Sequence, residues 1–426
     1  MNHTPHPLHS RRAALAALGA GTLGLSEMLS SAAEPAPSAA TLQFNVRDFG
    51  ARGDGKTDDT KAFESALAAA AQAPTGRCVR VPPGQYRLTR SLTLDSTLLI
   101  GLEAGGFPAD TRPLPQLIVD VPAPQPCLMA KTGASVHGLE LEFRRAKPDT
   151  VFGPGVKIEG GGVSLSNLLL HNPTLGIVAD GRVNCGRVNL ENIFMVNPAE
   201  IGVRFEYGLD VVTFRNVHVW NYVPTSVRTC TGFRIGQVDE IRLSDCSVVA
   251  AAIGFHFVET KLPEDKSGSV WGGMNNCTAD FSAVAVQVDH ANVLRINGGS
   301  FWAHHFGLVC KGPGDVIVSG ADLRANSQHC IDVRGGATGT LTVTGCLLKK
   351  NATNAAQTAK LHINGPASVL VSGCQFDEKS AGAFLGPEAR RVSLTGNLFA
   401  ASPHPALTDK TLATCEKLIA NNLGVK

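Results

Sequence analysis

Val163-Ser-Leu165-Ser-Asn167, Val188-Asn-Leu190-Glu-Asn192, Val212-Thr-Phe214-Arg-Asn216 and Ile241-Arg-Leu243-Ser-Asp245 are four copies of one phrase, an apolar-x-apolar-x strand that closes on Asn or Asp. It returns as Leu294-Arg-Ile296-Asn-Gly298, Val316-Ile-Val318-Ser-Gly320, Leu341-Thr-Val343-Thr-Gly345, Val369-Leu-Val371-Ser-Gly373 and Val392-Ser-Leu394-Thr-Gly396. From Gly298 to Gly396 the closing residues lie 22, 25, 28 and 23 positions apart, and the copy at Asn276 is more degenerate. Alternation with period two puts one face of each strand inward. A lone strand this short cannot bury that face, whereas copies stacked at ~4.8 Å build a continuous core. The closing Asn, Asp or Gly suits a sharp corner because these residues tolerate left-handed backbone.

A second apolar stretch follows each corner, as in Gly176-Ile177-Val178, Gly202-Val203-Arg204-Phe205, Gly254-Phe255-His256-Phe257 and Gly307-Leu308-Val309. The pattern predicts an all-β fold, a right-handed parallel β-helix of about ten to eleven coils with an N-terminal capping α-helix. Leucine-rich repeats would need a denser leucine framework and a helix in each repeat, and propeller blades would need about 40–45 residues. Residues 136–400 hold almost no helix-period stretch. The chain divides into an export signal and leader at 1–40, a cap at 41–75 and the solenoid at 76–426.

Net charge is +2 at neutral pH, which leaves no electrostatic footprint for nucleic acid or an anionic membrane. Ser10-Arg11-Arg12-Ala13-Ala14-Leu15, an apolar run to about Leu25 and the small residues Ser31-Ala32-Ala33 read as an export signal. It resembles a twin-arginine signal, although Ala14 and Ala16 depart from that pattern. The apolar run is shorter than the ~20 residues of a membrane span. The expected location is therefore outside the cytoplasm, in the periplasm or beyond.

Eleven cysteines would suggest disulfides in an exported chain, but Cys246, Cys277, Cys346 and Cys374 each directly follow a closing residue. The expectation is a stacked row of inward, free thiols, which behave as small hydrophobes. No C-x-x-C pair occurs and the thirteen histidines are scattered, so the sequence points to no metal site. No cofactor is required, and calcium is left open without a recognisable carboxylate cluster to hold it.

Gly50-Ala-Arg-Gly-Asp-Gly55-Lys56-Thr57 matches the phosphate-loop pattern letter for letter. No alternating βαβ series follows it to complete a nucleotide site. The structural alternative is a helix from about Thr57 to Gln72, started by Thr57, Asp58 and Asp59. Phe63, Ala66, Leu67 and Ala70 form its apolar stripe, which can lie across the open end of the first coil.

The run Phe44-Asn-Val-Arg-Asp48-Phe49-Gly50-Ala51-Arg-Gly53-Asp54-Gly55-Lys56-Thr57-Asp58-Asp59-Thr60-Lys-Ala62-Phe63, with Val81-Pro82-Pro83-Gly84-Gln85-Tyr86, resembles the opening of pectate-lyase-superfamily proteins. These include polygalacturonase and rhamnogalacturonase types and phage tailspikes. The resemblance covers about 45 residues and implies a capped β-helix that handles polysaccharide in a groove along one sheet. The N-T-D, D-D, G-H-G and R-I-K motifs of the polygalacturonase-like members are missing from the central coils, where Arg295-Ile296-Asn297 is the nearest echo.

Three functions stay open: cleavage of a polysaccharide, by two-carboxylate hydrolysis or by β-elimination; carbohydrate binding without catalysis; and structural assembly as a tailspike-like homotrimer. Aligning the corners of successive coils groups Asp280, His304, His305 and His329 as catalytic candidates on one flank. Trp302, Trp220, Tyr222 and Glu200 are the expected substrate contacts.

Overall fold

The computed structural model describes residues 43–74, 76–101, 114–144, 150–222, 229–262, 266–350 and 358–425. The expected export segment at 1–40 lies outside them. Leu42–Lys426 forms one unit. Its strands wrap into a parallel β-solenoid of about 13 turns, more than the ten to eleven expected. Turns without a full copy of the closing phrase lie at both ends: before Val136, where strands such as Leu92–Leu94 and Leu98–Ile100 are three residues long, and after Gly396, where Glu416–Ala420 stacks on Arg391–Thr395.

Each coil contributes to three stacks. The first holds the repeated phrase: Leu165 pairs with Leu190, Leu190 with Phe214, Phe214 with Leu243, and so on to Leu394 and Ile419. The second follows the corner, running Leu170, Met195, Val219, Val248, Ala279, Phe301, Leu323, Leu348 and Phe376 on its inward face. The third pairs Val203, Phe233, Phe255, Val286, Leu308, Ile331 and Leu361. All these inward residues from Leu165 to Leu394 are buried. Within the core Phe233 and Phe255 stack with centroids 5.0 Å apart, a contact worth ~1 kcal/mol beyond its area.

The corner expectation holds residue by residue. Asn167, Asn192, Asn216, Asp245 and Asn276 have φ of 50° to 55°, and Gly298, Gly320, Gly345, Gly373 and Gly396 have φ of 60° to 64°. Cys246, Cys277, Cys346 and Cys374 are buried and free, as are the other seven cysteines.

The cap helix α1 spans Thr60–Gln72 and starts three residues later than expected. Asp54–Asp58 forms a strand that pairs with Gln85–Leu88 instead. Thr57 caps nothing. The Asp58 carboxylate accepts from the Thr60 backbone N–H at 3.0 Å, while Asp59 accepts from the backbone N–H groups of Arg52 and Gly53 at 2.7 and 3.1 Å. Asp54 accepts from those of Lys56 and Thr57 at 2.9 and 2.8 Å. The N–H groups that would cradle a phosphate are thus taken by the loop's own carboxylates. The stripe Phe63, Ala66, Leu67 and Ala70 is buried, and Phe63 meets Tyr86 edge-on at 5.4 Å, so α1 covers the first coil.

Candidate functional site

The outward face of the second stack carries two rows, because alternate residues of each strand point away from the core. One row reads Glu140, Leu169, Phe194, His218, Ser247, Thr278, Ser300 and Asp322; the other reads Glu142, His171, Val196, Trp220, Val249, Asp280, Trp302 and Arg324. In the middle coils these rows form a groove of about 350 Å³ lined by His218, Trp220, Ser247, Val249, Thr278, Asp280, Ser300 and Trp302. Small side chains make the floor. At one end Trp220, 39% exposed, stacks on Tyr222 at 5.1 Å and meets Phe194 at 5.9 Å. At the other, Trp302 lies 5.1 Å from Phe281 and 6.0 Å below the Arg324 guanidinium. Phe281 is presented outward by a left-handed backbone, φ 51°, which is strained for an aromatic residue.

The two ionisable groups of the groove have opposite settings. Burial pushes the Asp280 carboxyl above its ordinary range, with a backbone hydrogen bond from Phe281 acting the other way, and Oδ1 is buried without a hydrogen-bond partner. Burial lowers the pKa of His218, which favours the neutral ring. The proton of that ring is placed by a ladder at the adjacent corner. Asn192 Nδ2 donates to Asn167 Oδ1 at 3.2 Å, and Asn216 Nδ2 donates to Asn192 Oδ1 at 2.9 Å. With its amide committed downward, Asn216 presents Oδ1 to His218 Nε2 at 2.8 Å. Nε2 therefore carries the hydrogen and Nδ1 the lone pair.

A family profile described as Rhamnogalacturonase A/epimerase, pectate lyase-like, matches residues 43–107. The opening is pectate-lyase-like. Alginate lyase 7 of Azotobacter vinelandii is 52% identical over 48 residues, which is 11% of this chain and 6% of that protein. A mannuronan C5-epimerase of the same organism is 50% identical over 48 residues, 11% of this chain and 3% of that protein. The chain thus matches only a small part of these relatives' length. The A-module of another Azotobacter vinelandii mannuronan C-5 epimerase superposes with a TM-score of 0.54 at 16% identity, over 88% of this chain and 99% of that one. The HK620 tailspike of an E. coli bacteriophage, solved with a pentasaccharide, gives 0.59 at 10% identity, over 87% and 78%. At such identities the superpositions establish the fold alone.

On this solenoid the expected site residues separate. Asp280, Trp302 and Trp220 line one groove, Tyr222 extends it, and His304 approaches through Phe281 at 6.2 Å between ring centroids. Glu200 is exposed beyond the next corner and does not line the groove. His305 is exposed at the corner with Nδ1 2.7 Å from Ser327 Oγ. His329 lies on the third stack, stacked on His362 at 4.5 Å, so the four catalytic candidates do not share one flank. Arg324 and Cys330 pair with Trp302 and Gly307. That coil has one residue more between the two stacks than the coil before it, and the corner alignment slips there.

Three groove-side features have no counterpart in the expectation: His218, Phe281 and a cluster of Glu140, Glu142 and His171 whose ligand atoms lie within 4.8 Å of one another. Burial raises the Glu142 pKa, and the like charge of Glu140 adds to this against the opposing pull of His171. The alternation Glu140-Leu141-Glu142 places both carboxylates outward and was the available signal; pairing with His171 needs the coil register. The third stack differs in kind. Its outward charges pair among themselves, with Glu206 joining Arg204 at 2.6 Å and Arg234 at 2.7 Å, and Asp289 meeting His256 at 2.7 Å.

Proposed function

We propose that the protein binds a uronic-acid-containing polysaccharide along the outward face of the second stack and cleaves it by β-elimination. The observation that carries this reading is the groove itself, in which two aromatic pairs bracket one imidazole and one carboxyl. Trp220 and Trp302 are three strand spacings apart, ~14 Å, and offer flat apolar surfaces to sugar rings. His218 and Asp280 lie two strand spacings apart, ~10 Å, so a ring resting over Ser247 and Thr278 has a group on either side. Neutral His218 is set to take the proton from the carbon beside a uronate while the bond from the neighbouring carbon to the glycosidic oxygen breaks, that oxygen taking a proton from solvent, and Asp280, protonated more readily because it is buried, donates a hydrogen bond to the uronate as charge builds on it. Two-carboxylate hydrolysis is less well supported, because Asp322 beyond Ser300 is already held by Arg324 at 2.9 and 3.0 Å. The names of the alginate-acting and epimerising relatives agree with a uronate polymer, and export by the twin-arginine route belongs to the same proposal.

Incubating the full chain with a panel of uronic and neutral polysaccharides, while following unsaturated-product absorbance and reducing ends, tests it. Unsaturated product from a uronate polymer is expected, with Asp280→Ala and His218→Ala inactive and Trp302→Ala weakly bound. Reducing ends without unsaturation would mean hydrolysis. Binding without product would favour a non-catalytic module.

A further inference from the structure

His329, Asp332 and His362 come from two consecutive coils of the third stack, the coil of Ile331–Val333 and that of Leu361–Ile363. One ligand atom from each lies within 4.8 Å of the other two. The Asp332 side chain is only 5% exposed, and the imidazoles form the middle of a ring column that Phe306 and Phe384 close at centroid distances of 6.1 and 5.2 Å. The remaining polar atoms are already committed. His329 Nδ1 donates to the Ala359 carbonyl at 2.6 Å, which leaves the lone pair on Nε2. Asp332 Oδ2 accepts from Arg334 Nε at 2.7 Å, leaving Oδ1, which shares a proton with His362 Nδ1 at 2.8 Å. A ring nitrogen backed by a carbonyl is the usual outer support of a metal-ligating histidine.

We propose that His329, Asp332 and His362 bind a first-row divalent cation of the zinc type, which replaces the proton between His362 Nδ1 and Asp332 Oδ1. Two imidazoles and one carboxylate suit zinc or cobalt and are wrong for calcium, which takes oxygen ligands. Three protein ligands leave a fourth position for water. With Nδ1 on the metal, the ring hydrogen of neutral His362 is carried on Nε2. The Arg334 guanidinium beside Asp332 and the buried Lys350 ammonium near His329 oppose the cation and limit its affinity. Because the ligands belong to successive coils, the ion clips them together. The site is separate from the groove of the second stack and does not depend on any activity there.

The test is titration of the metal-free full chain with cobalt and then zinc. Expected are one equivalent of bound cobalt with the visible bands of a low-coordinate nitrogen and oxygen site, displacement by zinc, no competition from calcium, and a rise in Tm with zinc. His329→Gln and His362→Gln should each abolish the bands and the Tm rise while keeping the far-ultraviolet circular dichroism of the parent, and His171→Gln should change neither. Absence of stoichiometric binding by the parent would overturn the proposal without recourse to any variant. So would binding that survives both histidine variants, binding lost in His171→Gln, or an intense thiolate-to-cobalt band, which would place the ion on cysteine.

Discussion

The corners between the first and second stacks take one backbone shape with two chemistries. From Asn167 to Asn276 they are Asn or Asp, and from Gly298 to Gly396 they are Gly, all in the left-handed region. A Cβ added at Gly298, Gly320, Gly345, Gly373 or Gly396 would meet nothing within 4 Å. Space therefore does not dictate glycine there; backbone conformation alone does. In the earlier coils the same conformation is carried by asparagines whose side chains bond from coil to coil and end on His218. The glycine half puts its unusual polar groups inside instead: Lys350 takes an inward position aligned with Ala325, and Lys350 and Lys360 are both fully buried. Polar ladders at a corner can orient a surface residue. Polar groups in the core cannot, and they lower stability unless fully paired.

The groove beside the ladder supplies the largest expected effect. Asp280→Ala should reduce turnover of whatever uronate polymer the parent cleaves by at least about a hundredfold without loss of stability. The sign follows from linkage. A carboxyl whose folded pKa is raised contributes stability only below its unfolded pKa and loses it as pH rises through the folded one. At pH 7 the substitution thus removes a penalty rather than a bond, and an unchanged rate would detach Asp280 from any catalytic role.

Asn192→Val breaks two ladder bonds and forces a β-branched residue into left-handed backbone, so unfolding should cost ~2–4 kcal/mol less. Thermal and denaturant unfolding would show it, and a loss below ~1 kcal/mol would mean that the ladder is ornamental. Lys350→Met probes the other half. Burial lowers the Lys350 pKa to about 8 from 10.5, so between those values the unfolded chain binds more protons and stability rises with pH. The variant should be more stable than the parent by ~1–3 kcal/mol at pH 7, and this gap should shrink as pH approaches 10. A gap independent of pH would show that packing, not charge, is responsible. The smallest effect belongs to Gly320→Asn, within ~0.5 kcal/mol of the parent. If it destabilised as much as Asn192→Val, the two sets of corners would not be alternatives for one backbone.

Sequence alone determined the solenoid, its corners, the apolar stripe of the cap helix and the inward thiols, because each follows from a short-range period: two along a strand, 3.6 along a helix, and a closing residue that accepts left-handed backbone. The helix start was misplaced because Thr57 and Asp58, suitable as caps, pair as strand residues with the following coil. The clusters were decided by tertiary structure. In a parallel solenoid the neighbours of a side chain come from residues a full coil away, and coil length varies, so an alignment uncertain by one residue turns a side chain to the opposite face. Such coil-long separation of neighbours is what puts His329 at the third-stack end of its corner, beside Phe306 and His362, the latter 33 positions along the chain, and not beside Asp280. It is also why His218 and Trp220, ordinary strand residues in the sequence, share a groove with Asp280 and Trp302 only once the coils are stacked.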